Sequence, residues 1–266
     1  MIFYSSIEPI YFLLPFVGLL VGLFGAILGG GGGFIFLPLL TLVLEVPMQT
    51  AVITSLVATL PICIVGSWGH YQNGNINFKI GALFALVGII GALLGTWITS
   101  SISANQLKTG FGIYSVLIAL NMGYATWQNT RHKANGNRML KATSRWMKIS
   151  RGSIYGFSAG TITGVFGTSG TAPILAGLFY MNIPLKMVIG TSLLVVMVNT
   201  LFSVGAHFFV SKIDITLVLF LTAGSIIGTL AGTRFHTKTN IDNSENTIKY
   251  AYAAGMVLLG IMMIIK

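Results

Sequence analysis

Charge is so scarce along this chain that its distribution dictates the solvent in which the chain can fold. No Asp, Glu, Lys or Arg occurs across 9–44, 46–78, 80–107, 109–130, 152–185, 187–211, 215–233 and 250–265. Most of these runs reach the roughly 18–20 residues that a helix needs to cross a bilayer. Over 266 residues, charged side chains make up 8% and hydrophobic ones 54%, against roughly 25% charged in a soluble domain. A water-soluble globular protein is excluded. In lipid every backbone polar group needs a partner inside the protein, and a helix supplies it within one segment. The runs lack the period-two alternation of a membrane barrel, so the fold class is an all-α polytopic membrane protein.

The few charges carry topology. Of fifteen Lys and Arg, seven (Arg131, Lys133, Arg138, Lys141, Arg145, Lys148 and Arg151) fall in one stretch without an acidic residue. The positive-inside rule places that stretch in the cytoplasm. The formal net charge of +10 therefore reads as a topology signal that also suits anionic lipid head groups. No base-reading motif accompanies it, and nucleic acid is not an expected partner. Glu8 is the first charge, so the N-terminus lacks the positive region of a secretory signal, and the first apolar segment is expected to stay in place. Cys63 is the single cysteine, which rules out an internal disulfide or a thiolate metal cluster and reads as a small core residue.

The chain repeats itself. At an offset of 135 residues Gly25 falls on Gly160, Gly29 on Gly164, Gly32 on Gly167 and Pro38 on Pro173; at 137, Thr54-Ser55-Leu56 falls on Thr191-Ser192-Leu193 and His70 on His207. Two membrane repeats, 1–127 and 150–266, flank a basic cytoplasmic linker at 128–149. Each repeat has a glycine-interrupted first segment, about 10–44 and 152–181, and three cleaner spans: 48–70, 78–100 and 106–127, then 186–209, 214–234 and 247–265. Gly18, Gly22, Gly25 and Gly29, and Gly156, Gly160 and Gly164, recur at steps of three and four. Such small-residue stripes let membrane helices approach closely, and packing is their expected role.

Gly29-Gly30-Gly31-Gly32-Gly33 is a different feature. Each glycine costs about 1 kcal/mol relative to alanine in a helix interior, so the helix should break there. The second break, Gly167-Thr168-Ser169-Gly170-Thr171, uses hydroxyls. Irregular backbone at membrane depth must be buried or line a cavity, and paired broken segments point to a transporter's binding site. Free N–H groups at the following half-helices suit an anion.

The glycine-rich break from Gly25 through Pro38, its weaker copy from Gly160 to Pro173, the Thr-Ser pairs and the basic central stretch together resemble the TauE/SafE family of sulfite-exporter-like permeases, over nearly the whole chain. The resemblance implies a transporter of the bacterial or archaeal inner membrane, built from duplicated four-segment units and moving small sulfur-containing anions such as sulfite or sulfonates.

The candidate substrate-binding groups are the backbone N–H groups of Gly31, Gly32, Gly33, Thr168, Ser169 and Gly170, with Thr54, Ser55, Thr191, Ser192 and Asn199 nearby. The Thr and Ser hydroxyls suit sulfonate oxygens or return to their own helices, and the Asn199 amide lines a pocket or bonds a neighbouring helix. His70 and His207 are proton-coupling candidates, the alternative being an interfacial position bonded to loops. Asn77 and its counterpart Asp214 are expected to cap the helices that follow, and Glu45 to sit solvated at a segment end. No catalytic or metal-binding constellation and no nucleotide loop occurs in the sequence, so neither an enzyme nor a cofactor is expected.

The reading is a gradient-driven secondary transporter of a small anion, with the lipid bilayer as its other partner and a homo-oligomer left open. The alternative is a membrane assembly protein whose glycines merely pack helices. If each broken segment enters and returns, Lys and Arg divide twelve inside to three outside; if it crosses once, ten to five. The charge rule favours the former, which makes the repeats inverted.

Overall fold

The computed structural model describes residues 2–134, 145–181, 183–238 and 245–265. The middle of the basic linker, with Arg138 and Lys141, lies outside the described residues. Helices form over the uncharged runs and also reach into the basic linker, over 128–134 and 145–149. After a 3-10 turn at Pro9–Leu13 come α1 (Leu14–Leu28), α2 (Gly33–Pro38), α3 (Met48–Gln72), α4 (Phe78–Ser101) and α5 (Ala104–Ala134). Beyond the linker follow α6 (Arg145–Phe166), α7 (Thr171–Tyr180), α8 (Leu185–His207), α9 (Ile215–Lys238) and α10 (Glu245–Ile265). Among the described residues five stretches are long and apolar enough to cross a membrane: Pro9–Leu28, Met48–Gln72, Phe78–Ser101, Leu185–His207 and Ile215–Arg234.

Several local signals are used as the sequence predicts. Asn77 Oδ1 accepts the N–H of Ile80 at 3.2 Å, and Asp214 Oδ1 that of Leu217 at 3.4 Å, so both carboxamide and carboxylate serve the first turn of a helix. Glu45 is exposed in the bend before α3, with φ of 52°. Past Pro38, α2 runs on as a π-helical turn at Leu39–Val43. One feature the apolar pattern does not announce is a short parallel ladder, β1 (Ile2–Phe3) with β2 (Ile213–Asp214).

Glycine stripes set the helix pairs. Gly18 and Gly22 of α1 lie against the backbone of Leu221 and Ser225, while Gly224, Gly228 and Gly232 of α9 lie against that of Pro15, Leu19 and Leu23. In the same way Gly156, Gly160 and Gly164 of α6 meet the backbone of Phe84, Gly88 and Ala92 in α4. The interlocking brings backbone to backbone, where dispersion and Cα–H contacts replace the hydrophobic drive that lipid cannot supply. The packing role expected of these stripes holds for Gly18, Gly22, Gly156, Gly160 and Gly164, whereas Gly25 lies against its own chain at Gly31 and Gly32 and Gly29 ends α1.

The same contacts fix direction. α1 runs parallel to α9, and α4 to α6, because residue numbers rise together along each contact. α9 runs with α3, since Thr54 meets Asp214 and Gly69 meets Thr233. α8 runs with α4, since Asn77 meets Thr191 and Gly88 meets Asn199. α3 and α8 are antiparallel, with His70 beside Gly190 and Gly66 beside Leu193, and so are α5 and α10, with Gly112 beside Ile264 and Ser115 beside Gly260. Thus α1, α3 and α9 point one way and α4, α6 and α8 the other. The guanidinium of Arg151, early in α6, lies over the Tyr180 ring at 4.2 Å, so α7 returns to the end of the bundle from which α6 set out.

The surface is inside out relative to a soluble protein. Phe16, Leu86, Ile90, Trp97, Leu117 and Leu219 are exposed, while Ser55, Thr163, Ser192, Asn199, Ser203 and His207 are fully buried. That distribution suits hydrocarbon outside and polar groups gathered within the protein. The chain is a multi-pass membrane protein.

Candidate functional site

Both breaks form, and they meet. α1 stops at Gly29, whose φ of 71° is left-handed, and α6 at Gly167, with φ of 63°. The chain resumes as helix after Gly32 (φ 87°) and Gly170 (φ 51°). These ends correspond at a spacing of 138 residues, so the 135-residue register read from the glycines slips by three at the break. Gly164, paired in sequence with Gly29, lies inside α6 against Ala92. A glycine chosen for close packing and one chosen for a left-handed cap look alike in sequence.

A Cβ built on Gly33 would stand 3.0 Å from Thr59 Oγ1, 3.1 Å from the Gly167 carbonyl oxygen and 3.3 Å from the Ser169 nitrogen. The first break therefore touches the second. Hydroxyls brace the crossing by occupying its carbonyls. Ser55 Oγ donates to Gly167 O at 2.8 Å, Ser192 Oγ to Gly29 O at 2.9 Å, and Thr171 Oγ1 to Gly30 O at 3.1 Å. The second hydroxyl of this last group, Ser169 Oγ, sits 2.8 Å from Thr171 Oγ1.

The N–H groups are treated differently. Gly30 N donates to Gly25 O and Gly167 N to Thr163 O, closing each preceding helix. Among the described residues no partner is found for the N–H of Gly31, Gly32, Gly33, Thr168, Ser169 or Gly170, and all six residues are buried. Thr168 Oγ1 and Thr59 Oγ1 are buried without partners as well. Unpaired donors away from water are costly, so such a concentration of them marks a place built for an acceptor. The residues of the crossing carry no acid, and the positive ends of α2 and α7 both face it.

The sequence-derived candidates divide by position. Gly31, Gly32, Gly33, Thr168, Ser169 and Gly170 converge at the crossing, with Ser55 and Ser192 as its braces. Thr54 and Thr191 stand away from it; their hydroxyls accept the N–H of Asp214 at 3.3 Å and of Asn77 at 2.9 Å and so anchor the starts of α9 and α4. Asn199 faces α4, its amide occupying the space beside Gly88. His70 and His207 end α3 and α8 and are 2% and 0% exposed, buried in protein and not solvated at an interface. His207 Nε2 lies 2.8 Å from the Gly164 carbonyl.

Three residues at the crossing were not among the expected site residues. Thr59 follows Ser55 by one helical turn, Thr171 opens α7 directly after the break, and Cys63 places its sulfur 2.9 Å from where a Gly31 Cβ would be. The one-turn spacing of Ser55, Thr59 and Cys63 was the available signal; without knowing that α3 faces the break it had no meaning.

Broken helices meeting inside an apolar bundle, with their donors unpaired, define a polytopic membrane protein with an internal polar site. The chain belongs to the TauE/SafE family: residues 14–263 match the model described as Sulfite exporter TauE/SafE. It is 29% identical over 223 residues to the "Probable membrane transporter protein YdhB" of Bacillus subtilis (strain 168), covering 82% of this chain and 86% of that one. A "Probable membrane transporter protein" of Xylella fastidiosa (strain Temecula1) is 31% identical over 235 residues, 85% of this chain and 86% of its own. The archaeal "Probable membrane transporter protein MJ0441" of Methanocaldococcus jannaschii is 27% identical over 186 residues, 68% and 66% of the two chains. No solved structure matches the chain. The family is one of membrane transporters, not of enzymes.

Proposed function

We propose that the chain is a gradient-driven secondary transporter of a small sulfur oxyanion, sulfite or an organosulfonate, which binds where the two breaks cross. The observation that carries the reading is the set of six buried, unpaired backbone N–H groups at Gly31, Gly32, Gly33, Thr168, Ser169 and Gly170. A tetrahedral or pyramidal oxyanion accepts several such bonds at once, and charge-assisted bonds of this kind are the strong ones. Ser55, Ser192 and Thr171 occupy the carbonyls of Gly167, Gly29 and Gly30, which leaves those three less available to a cation.

The chain is further read as two inverted repeats, 1–127 and 150–266, joined by the basic linker 128–149. Support comes from helix direction: α3 and α8, like α5 and α10, are paired by the 137-residue repeat or its continuation and run antiparallel. Equivalent bonds recur in exchanged positions, Thr54 with Asp214 and Thr191 with Asn77, Ser55 with Gly167 and Ser192 with Gly29. An inverted pair with its site at the midplane suits alternating access, in which each unit opens the crossing to one side. The buried position of the crossing residues is what a site closed to both sides requires.

The test is uptake of labelled sulfite into proteoliposomes under an imposed pH gradient, with sulfate and a small sulfonate as competitors. Saturable flux that collapses with the gradient is expected, and Gly32→Leu or Gly167→Leu in correctly inserted protein should abolish it. Full flux in those variants would remove the crossing as the site. Absence of flux for every sulfur anion from folded protein would refute the substrate class.

A further inference from the structure

One face of α8 carries more buried polar groups than the anion site uses. At 3.6 residues per turn, Ser192, Val196, Asn199, Thr200, Ser203 and His207 fall within about 100° of arc. Its start belongs to the crossing, where Ser192 bonds Gly29 and Val196 touches Gly31. Beyond that point the face turns to α4 and α6. Asn199 lies against Gly88, and His207 against Gly164. Asn199, Thr200, Ser203 and His207 are each 0% exposed. Yet both amide atoms of Asn199, the hydroxyls of Thr200 and Ser203, and Nδ1 of His207 have no hydrogen-bond partner among the described residues.

Orphaned polar atoms on one helix face, one turn apart, are too costly to be incidental. Buried water is the usual partner of such groups. The His207 tautomer is also fixed. A carbonyl oxygen accepts only, so Nε2 must carry the hydrogen that meets Gly164 O, and in the neutral ring Nδ1 is left with a free lone pair. α3, which the 137-residue repeat matches to α8, has buried hydroxyls at Thr59 and Ser67 but no continuous polar file between the crossing and its histidine. Ile62 and Gly66 stand where α8 has Asn199 and Ser203, although His70 corresponds to His207.

We propose that this face of α8 is a wet seam, a file of buried water bonded to Asn199, Thr200, Ser203 and His207 Nδ1, that carries the coupling proton between the His207 end of the bundle and the anion at the crossing. The proposal rests on the transport reading above and makes coupling one-sided, with His207 the coupling histidine and His70 structural. Nδ1 takes a proton from water at that end, giving an imidazolium that keeps its Nε2–H bond to Gly164. It then releases the proton to the seam, regenerating the neutral ring, and the proton comes to rest on an anion oxygen. Each transfer breaks one N–H or O–H bond and forms another, with no oxidation or reduction. The segments packed on this part of α8 (48–59 of α3, 85–101 of α4 and 156–166 of α6) carry no titratable side chain. Among the described residues the charges at that end of the bundle, Glu8, Glu45, Lys108, Lys212 and Asp214, stand at or between segment ends, so the ring meets its proton without a fixed counter-charge from the helix stretches packed on it.

The test uses the full chain in proteoliposomes. His207→Gln keeps an N–H for Gly164 but has no titrating nitrogen. Accumulation of labelled sulfite driven by a pH gradient should fall at least tenfold, while sulfite counterflow without a gradient stays within twofold of the wild type; gradient-driven accumulation that persists unchanged overturns the proposal. Should the wild type move no sulfite by either route, the transport reading fails by itself and the seam is judged by a second measurement. In protein labelled with 15N-histidine, the His207 resonances, identified by their loss in the Gln variant, should report protonation of Nδ1 between pH 8 and pH 5, and Ser203→Ala or Asn199→Leu should slow its exchange with water. A ring that stays neutral throughout that range has no proton supply, and the seam does not exist.

Discussion

Consider adding one methyl group at two neighbouring glycines of the first break, Gly30 and Gly33. Neither has a left-handed φ, so alanine is conformationally admissible at both. A Cβ on Gly30 would meet nothing nearer than Thr171 Oγ1 at 3.9 Å, an ordinary contact. Gly30→Ala should therefore be neutral or stabilising by about 0.4–1 kcal/mol through the unfolded chain. A Cβ on Gly33 would lie 3.0 Å from Thr59 Oγ1, 3.1 Å from Gly167 O and 3.3 Å from Ser169 N, in the space between the two sets of unpaired donors. Gly33→Ala should cost one charge-assisted bond to the anion, about 1.5–3 kcal/mol, or roughly 10- to 150-fold in affinity. The assay is equilibrium binding of labelled sulfite to purified protein, with thermal unfolding run in parallel. Equal affinity in wild type and Gly33→Ala, or a loss in Gly30→Ala as large as in Gly33→Ala, would refute the placement of the anion between the breaks.

Gly160→Ala pushes a methyl group into the Gly88 backbone and should destabilise by about 1–3 kcal/mol, whereas Gly255→Ala, with open space around it, should not lower the unfolding temperature. Ser55→Ala and Ser192→Ala each remove a buried bond to a break carbonyl; a loss of about 1–3 kcal/mol apiece is expected in thermal or denaturant unfolding, and no loss would mean the hydroxyls do not brace the crossing. Reporter tags fused to either terminus should both be found outside and a tag in the linker inside; two cytoplasmic termini would refute the inverted repeat.

Much of the fold was legible because its causes are local. The free-energy cost of glycine in a helix adds up along the sequence, so Gly29 to Gly33 announces a break whatever surrounds it, and the ends at Leu28 and Gly33 follow. Charge-free runs set helix length, and α3, α4 and α8 begin and end within a few residues of the expected spans. Side-chain caps are local too, hence Asn77 and Asp214. The site was half legible for the same reason: its donors lie in the breaks themselves.

What the linear chain determined was a solvent, a set of helices and two places where they break, since each depends on residues within one or two turns of one another. Only the tertiary structure decided which helix meets which. Small-residue stripes on α1, α4, α6 and α9 are alike in composition, and complementarity in three dimensions sorts them into α1 with α9 and α4 with α6, across the two halves of the chain. That pairing brings the two breaks into contact and turns Thr59 and Thr171 toward them. It sends Thr54 and Thr191 to hold helix starts, and leaves Asn199, Ser203 and His207 on a buried face whose partners no sequence spacing names.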